Sequence, residues 1–194
     1  GWEAPLHVLP RGEAAKTLSQ VERLWSFLAR TRHERRDPVV ALGGGTVGDA
    51  AGFAASAWMR GVPLVQVPTT LLAQCDSCLG GKTGVNVPGA KNAVGAFHQP
   101  TLVVADPAAL DGLPERDFAS GLAEVVKYGL VLDAAFARAL VRRWPELSAR
   151  RPAAVVWAVE RSLRLKADVV SVDERDLSGR RELLNFGHTL GHAL

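Results

Sequence analysis

The chain is poor in cysteine, in lysine and in long apolar runs. Its two cysteines, Cys75 and Cys78, exclude a disulfide framework and suit a reducing compartment. They form a C-x-x-C, which is typical of a redox pair or of half a zinc site. Two small buried thiols are the favoured interpretation, because no other cysteine pair exists. No apolar run can span a bilayer, so we expect a cytoplasmic protein with neither a secretory leader nor a membrane partner.

The formal net charge is only +3 in 194 residues, of which 47% are hydrophobic. Arginine-rich stretches at 30–36 and 142–151 lie where helices are expected to end, which is typical of solvated surface. We therefore expect a globular protein that does not bind nucleic acid. The chain opens without Met and stops inside a predicted helix, so we also expect a fragment, weakly active or inactive alone.

The first part of the chain alternates helices with short apolar runs. Apolar spacing predicts helices at 17–28 and 48–59 and strands at 39–42, 63–67 and 101–105. Strands that alternate with helices indicate a parallel sheet. After Pro114 only helical patterns follow, at 118–132, 134–144, 153–170 and 183–194. The fold class predicted is α/β, then all-α, with an α/β domain at 1–112 and a helical domain at 113–194.

A glycine-rich turn follows the first strand: Gly43-Gly44-Gly45-Thr46-Val47-Gly48-Asp49. Between a strand and a helix, glycines let the backbone approach a pyrophosphate, and the helix N-terminus supplies free N–H donors. The turn departs from G-x-G-x-x-G, so spacing alone leaves open a tight turn with no ligand.

The sequence Gly80-Gly81-Lys82-Thr83 is not a P-loop, because Asp76 stands where the first glycine would be required. What remains is a predicted flexible loop with a dense polar set, with plain solvated surface as the alternative. The set comprises Asp76, Lys82, Asn86, Lys91 and Asn92.

Two pairs of residues share helical faces. Glu124 and Lys127 are three apart, which by spacing alone favours a surface ion pair. His188 and His192 are four apart, which by spacing alone predicts two metal ligands or, since no Glu follows the first His, two packed histidines.

The lysines are the most informative residues, since only five of 23 basic residues are Lys. At surface positions where either cation would serve, the chain uses Arg, so each Lys calls for a specific reason. A lysine ammonium is compact, which suits a small anion-binding pocket or a role in proton transfer. Four of the five fall in or near these polar segments: Lys82, Lys91, Lys127 and Lys166.

Together these motifs resemble the 3-dehydroquinate synthase family of the sugar-phosphate cyclase superfamily. The resemblance runs in order from Gly12 to the end of the chain. It rests on Gly12-Glu13-x-x-Lys16, the glycine turn, and residues 68–74, 76–77, 80–86, 91–92, 121–129 and 184–192.

The resemblance implies a Rossmann-like NAD-binding domain, a helical metal-binding domain and a homodimer at full length. NAD would contact Glu13, Lys16, Gly45, Thr46, Val47, Gly48, Asp49, Thr69, Thr70, Lys82 and Lys91. Glu124 and His188 would bind Zn²⁺ or Co²⁺. Substrate-facing and catalytic positions would be Asp76, Asn92, Lys127, Lys166, Arg181, Asn185 and His192, so His192 is implied to be catalytic and not a ligand.

The activity implied is cyclisation of 3-deoxy-D-arabino-heptulosonate 7-phosphate to 3-dehydroquinate with loss of phosphate. A carboxylate and a phosphate on one substrate account for lysine and arginine around the pocket. The alternatives are a sister cyclase, such as an aminodehydroquinate or 2-epi-5-epi-valiolone synthase, a polyol dehydrogenase, or a non-catalytic NAD-binding module.

Overall fold

The computed structural model describes residues 4–187. It divides into two compact units. Unit 1 runs to Pro68 and resumes over Gly81–Val104, whereas unit 2 consists of Thr69–Gly80 and the chain from Ala105 onward. The domain boundary at residue 112 stays a prediction, and the compact units differ from it by giving residues 69–80 and 105–112 to the second unit. Over the described range, no helix combines the length and the apolar character that a membrane crossing requires.

Unit 1 holds the parallel sheet that the sequence predicts. Its elements are the 3-10 helix Gly12–Ala15, α1 (Leu18–Arg30), β1 (Val39–Gly43), α2 (Gly45–Ala57), the 3-10 turn Trp58–Arg60, β2 (Leu64–Pro68), β3 (Lys82–Val87), β4 (Ala90–Phe97) and β5 (Leu102–Val103). The sheet order is β1-β2-β5, and both pairings are parallel, which confirms the prediction.

One face of this sheet packs against α2. Ala41 and Leu64 of the sheet form a buried cluster with Ala51 and Ala55 of the helix. Small side chains bring the helix close, so the turn that begins α2 is held at the carboxyl end of β1. That edge is where an open α/β sheet binds its ligands.

The predicted flexible loop was wrong in form. Strands β3 and β4 pair as an antiparallel hairpin with an irregularity between Val85 and Val87. Glycines allow this close pairing, since a Cβ at Gly95 would lie 2.0 Å from the Thr83 carbonyl oxygen. The hairpin places Lys82, Asn86, Lys91 and Asn92 on two strands.

Helix α1 forms because its local signals agree. The Thr17 hydroxyl caps it by accepting from the Gln20 amide at 3.3 Å. Val21, Leu24 and Leu28 then fall on one buried face at helical spacing.

Unit 2 consists of helices and connecting turns, without a strand in its described residues. Its elements are a π-helical turn Ala73–Ser77, the 3-10 helix Pro107–Leu110, α3 (Glu115–Leu132), α4 (Ala134–Ser148), α5 (Pro152–Val172) and the 3-10 helix Arg180–Asn185. The three α-helices confirm the pattern predicted after Pro114. The helix predicted at 183–194 differs in its described part, where a 3-10 helix ends at Asn185. The rest of that prediction lies outside the described residues.

The core of unit 2 is aromatic and aliphatic, with Tyr128 and Leu147 completely buried. Gly121 lets α3 lie directly on the segment before the π-helical turn, because a Cβ there would be 2.7 Å from the Leu72 amide nitrogen. This close approach brings the polar residues of α3 towards Asp76 in the same unit.

Candidate functional site

The start of α2 in unit 1 has the features of an anion-binding site. Gly44 is the N-cap and offers no side-chain cap to the first turn. Its carbonyl accepts from the amides of Val47 and Gly48 at 3.0 and 3.1 Å. The amides before them have no acceptor within the helix, as in any helix N-terminus, and they suit a phosphate oxygen.

Gly48 is required by packing. A Cβ at this position would lie 2.7 Å from Gln66 Oε1 on β2. Gln66 in turn donates from Nε2 to the Gly48 carbonyl at 3.3 Å. The glycine turn therefore fixes α2 on the sheet, in addition to any contact with a ligand.

Lys16 organises a polar cluster beside this helix start. Its buried ammonium donates to Asp49 Oδ2 and to Asn92 Oδ1, both at 2.6 Å. Three segments are thereby joined: the chain before α1, the second turn of α2, and β4. Because Lys16 binds two protein side chains, we infer that it orients this cluster and also supplies a positive charge.

Asn86 extends the cluster to Glu13. Its Nδ2 donates to Glu13 Oε2 at 2.7 Å, and its Oδ1 accepts from the Asn92 amide at 2.9 Å. Asn92 has a left-handed backbone, with φ of 54°, which asparagine tolerates better than most residues. Unit 1 thus gathers Glu13, Lys16, Asp49 and Asn92. It also adds Asn86, which the sequence placed in the polar set without assigning it a role.

The other predicted nucleotide contacts lie on the hairpin of unit 1 and in unit 2. Lys82 and Lys91 are exposed on the hairpin. Thr69 and Thr70 belong to unit 2, where the Thr70 hydroxyl accepts from the Ala73 amide at 3.2 Å. Their assignment to NAD remains a prediction.

Asp76 is the centre of the polar cluster in unit 2. Its Oδ1 accepts from Tyr128 Oη and from Lys166 Nζ, each at 2.7 Å. Burial by itself would raise the pKa of the Asp76 carboxyl, but Lys166, through its charge and hydrogen bond, and Tyr128 together hold it below the ordinary value. Asp76 is therefore an ionised acceptor at neutral pH.

Glu124 and Lys127 form an ion pair on α3, but it is not on the surface. Both residues are buried, and Lys127 also donates to the Leu184 carbonyl. Burial raises the pKa of Glu124, and the charge of Asp76 adds to that effect against the opposing lysines. The interpretation as a surface pair was wrong because tertiary packing, which spacing does not encode, covers this face of the helix.

Arg181 completes the set of buried cations. It is 3% exposed, and its Nη1 donates to the carbonyls of Gly80 at 3.2 Å and Glu174 at 2.9 Å. Its buried Nε has no hydrogen-bond partner within residues 4–187. A buried guanidinium N–H without an acceptor is costly, and an anionic oxygen would satisfy it.

Of the two predicted metal ligands, Glu124 lies among the described residues. His188 and His192 lie outside the described residues, and Asn185 is exposed at the end of its 3-10 helix. Among residues 4–187 no group of three His, Cys, Asp or Glu side chains is placed to hold a metal. Glu124 itself suits the role, since a divalent cation would offset the burial of its carboxylate.

The two cysteines behave as buried thiols. Both lie inside unit 2, and Cys78 Sγ donates to the Gln74 carbonyl at 3.5 Å. Burial raises the pKa of Cys78 to about 12, and it also raises the pKa of Cys75. Thiols held protonated are poor nucleophiles and poor metal ligands, which favours the interpretation as small buried residues.

Unit 2 also carries an apolar pocket of about 430 Å³ on α3 and α4, lined by Leu130, Val141 and Trp144 among others. None of its lining residues is a predicted site residue. Such a surface does not suit a charged sugar phosphate.

The sequence did not predict the hydrogen bond between Tyr128 and Asp76. Tyr128 lies within the motif at 121–129, but its bond to Asp76 spans 52 positions, and no local pattern reports it. Its one available signal is chemical: a tyrosine on a buried helix face needs a partner for its hydroxyl.

Two family models cover nearly the whole chain. The model described as 3-dehydroquinate synthase N-terminal matches residues 6–120, and the one described as 3-dehydroquinate synthase C-terminal matches residues 121–194.

Curated relatives named 3-dehydroquinate synthase match over 186 residues, or 96% of the chain. The protein of Nitrosomonas europaea is 53% identical, and that of Symbiobacterium thermophilum is 54% identical. The alignments cover 50% and 52% of these proteins, so the chain spans about half of their length.

Two solved structures are similar to the chain at 33% identity. One is a 2-epi-5-epi-valiolone synthase from Streptomyces hygroscopicus with NAD⁺ and Zn²⁺ bound, with a TM-score of 0.87 over 93% of this chain and 51% of that one. The other is a 2-deoxy-scyllo-inosose synthase complexed with carbaglucose-6-phosphate, NAD⁺ and Co²⁺, with a TM-score of 0.83 over 98% of this chain and 52% of that one.

Proposed function

Because the chain belongs to the 3-dehydroquinate synthase family, we propose that it carries the NAD-binding residues and part of the metal and substrate site of such an enzyme. The reaction is cyclisation of 3-deoxy-D-arabino-heptulosonate 7-phosphate with loss of phosphate, which makes the enzyme a carbon–oxygen lyase. Identity of 53% to a relative of that name supports this substrate over those of the sister cyclases.

The observation that carries the substrate class is the set of buried cations in unit 2. Lys127 pairs with Glu124, and Lys166 pairs with Asp76. Arg181 is buried as well, but its Nε has no acceptor within residues 4–187. An anionic oxygen of a ligand would supply that missing acceptor.

The nucleotide is assigned to unit 1. The uncapped N-terminus of α2, with Gly45 to Gly48 in its first turns, would receive the pyrophosphate, and the exposed carboxylate of Glu13 would accept from a ribose hydroxyl. NAD⁺ supplies a reversible hydride acceptor when bound, so it is not consumed in the net reaction.

Glu124 would hold the metal together with His188, and a bound divalent cation supplies polarisation of a substrate oxygen. The chain's own side chains bind and orient the substrate. Lys127 pairs with Glu124, Lys166 pairs with Asp76, and Asp76 accepts hydrogen bonds as an anion. Arg181 and Asn185 are assigned to orienting the substrate, and His192 is assigned to catalysis. Asn92, held by Lys16 and Asn86, keeps its substrate assignment.

The direct test is calorimetric binding to the chain in the presence of Zn²⁺. A seven-carbon sugar phosphate with a carboxylate should bind, and Arg181→Met should weaken it by about 1.5–3 kcal/mol, the range for a hydrogen bond to a charged group. The matched control is Arg180→Met, which changes an exposed neighbour. Preference for the same sugar phosphate without the carboxylate would favour a sister cyclase.

Metal binding distinguishes the proposed enzyme from a non-catalytic NAD-binding module. If the chain binds NAD⁺ while Glu124→Ala leaves Zn²⁺ affinity unchanged, the enzyme assignment of unit 2 fails. We expect Glu124→Ala to lower Zn²⁺ affinity and to leave NAD⁺ affinity unaltered.

A further inference from the structure

Tyr128 is the only tyrosine of the chain, and its side chain is completely buried. It lies on α3 next to Lys127, four residues after Glu124, so it belongs to the element that carries the predicted metal ligand. The side chain needs a partner for its hydroxyl inside the core, and it donates to Asp76 Oδ1 at 2.7 Å.

Two donors meet on that one oxygen. Lys166 Nζ also donates to Asp76 Oδ1 at 2.7 Å, and it donates to the Asp76 backbone carbonyl at 2.6 Å. Asp76 Oδ2 accepts no hydrogen bond from any residue in the described part of the chain. The Asp76 side chain is 31% exposed, so we infer that Oδ2, the oxygen not used by Tyr128 and Lys166, is the one that a ligand can reach.

The backbone of Asp76 is held as well. It lies in the π-helical turn Ala73–Ser77, a conformation frequent at functional sites. The preceding Gln74 is fully buried and donates from Nε2 to the Asp106 carbonyl at 2.7 Å. Main chain and carboxylate are therefore both fixed, and Tyr128 is the neutral half of the pair of donors that sets the carboxylate rotamer.

We propose that Tyr128 is a positioning residue, which acts with Lys166 to turn Asp76 Oδ1 inward and to present Oδ2 to a hydroxyl of the sugar phosphate. The proposal rests on the proposed function for the identity of that ligand. Burial, reinforced by the charge of Asp76, raises the pKa of the Tyr128 hydroxyl, so Tyr128 remains a donor throughout the working pH range.

Tyr128→Phe isolates this role, because it removes one hydroxyl and retains the ring that packs the core. Sugar-phosphate affinity is measured for the wild-type chain, Tyr128→Phe, Asp76→Asn and the double variant. We expect Tyr128→Phe to weaken binding about tenfold, and to cause no further loss when Asp76 is already Asn. Ser148→Ala, which removes an exposed hydroxyl from α4 in the same unit, is the control and should leave affinity unchanged.

Additive losses in the double variant would overturn the proposal, since Tyr128 would then act independently of Asp76. Equal affinity of Tyr128→Phe and wild type would overturn it too. Thermal unfolding of each variant confirms that the fold is retained.

A ligand-free measurement separates this proposal from the proposed function. Because the chain has a single tyrosine, labelling its ring at Cζ with ¹³C gives one NMR resonance, which Asp76→Asn should shift. Side-chain couplings of Asp76 should report one rotamer in wild type and averaged rotamers in Tyr128→Phe. One rotamer in both proteins would overturn the positioning role. Failure of the wild type to bind any sugar phosphate, with these NMR effects present, would overturn only the proposed function.

Discussion

The polar clusters of the two units differ in what they bury. In unit 1 the network of Glu13, Asn86 and Asn92 lies largely at the surface, and Lys16 is its one buried charge. In unit 2, Lys166 and the pair formed by Glu124 and Lys127 are all buried. Unit 1 thus offers backbone N–H donors and neutral side-chain amides, whereas unit 2 buries charged side chains. The first suits a nucleotide, and the second suits a charged ligand with a metal.

The largest effect is expected from removing a charge in unit 2. Lys166→Met leaves the Asp76 carboxylate with Tyr128 as its only hydrogen-bond donor in the described part of the chain, and should lower the free energy of unfolding by about 3 kcal/mol. Urea denaturation monitored by circular dichroism measures this. Adding Asp76→Asn should recover part of the loss, because the uncompensated charge is then gone. A loss below about 0.5 kcal/mol, as for a surface residue, would contradict the comparison.

The next largest effects are expected from replacing a glycine at a helix contact in each unit. A Cβ at Gly121 would meet the Leu72 backbone nitrogen at 2.7 Å, whereas at Gly48 it would meet the movable Gln66 Oε1 at the same distance. We expect Gly121→Ala to cost about 2 kcal/mol of unfolding free energy and Gly48→Ala about 1 kcal/mol. Gly112→Ala has open space and should change stability by less than about 0.5 kcal/mol. The reverse order for the first two would be inconsistent with this packing.

Removing the buried charge of unit 1 should cost less than removing that of unit 2. Lys16→Met breaks the bonds to Asp49 and Asn92, and we expect a loss of about 1.5 kcal/mol in the same denaturation assay. Lys16→Arg keeps the charge but not the compact ammonium, so it should recover only part of the loss. Full recovery by arginine would show that charge alone holds this cluster.

A smaller effect is expected in acid. The pKa of Asp76 is lower in the folded chain than its ordinary value, so its contribution to stability is complete above pH ~4 and is lost as the pH falls through the folded value. Unfolding measured along a descending pH series should therefore lose less stability in Asp76→Asn than in wild type. If the free energy of unfolding fell equally with pH in both proteins, the lowered pKa of Asp76 would be contradicted.

The smallest effect is expected at an exposed pair. Arg164 and Glu160 on α5 are 68% and 56% exposed in their side chains. Arg164→Ala should change the unfolding free energy by less than about 0.5 kcal/mol, since water screens such pairs. A larger change would remove the distinction between buried and exposed charge on which the ranking depends.

Local pattern was sufficient for most of the secondary structure. The parallel sheet and the helices α3, α4 and α5 follow from apolar spacing, because each buries one face at its own period. The hairpin was missed because β3 and β4 each combine a glycine with polar residues. Their pairing depends on close backbone approach at Gly84 and Gly95 and not on an apolar period.

The candidate site depended on resemblance more than on spacing. Motifs named Glu124, Lys127 and Asp76, but spacing placed the first two on the surface. Their burial comes from residues distant in sequence, such as Leu184, which accepts from Lys127. The contact of Tyr128 with Asp76 is equally long-range, so only the fold reveals it.

The most direct test of the division between the units is NMR of the labelled chain during titration with NAD⁺. We expect amide shifts at Gly45 to Asp49 and at Lys16, with the side-chain Nε signal of Arg181 unchanged. A sugar phosphate added afterwards should shift the Arg181 signal. If NAD⁺ shifts Arg181 and leaves the start of α2 unchanged, the assignment of the nucleotide to unit 1 is wrong.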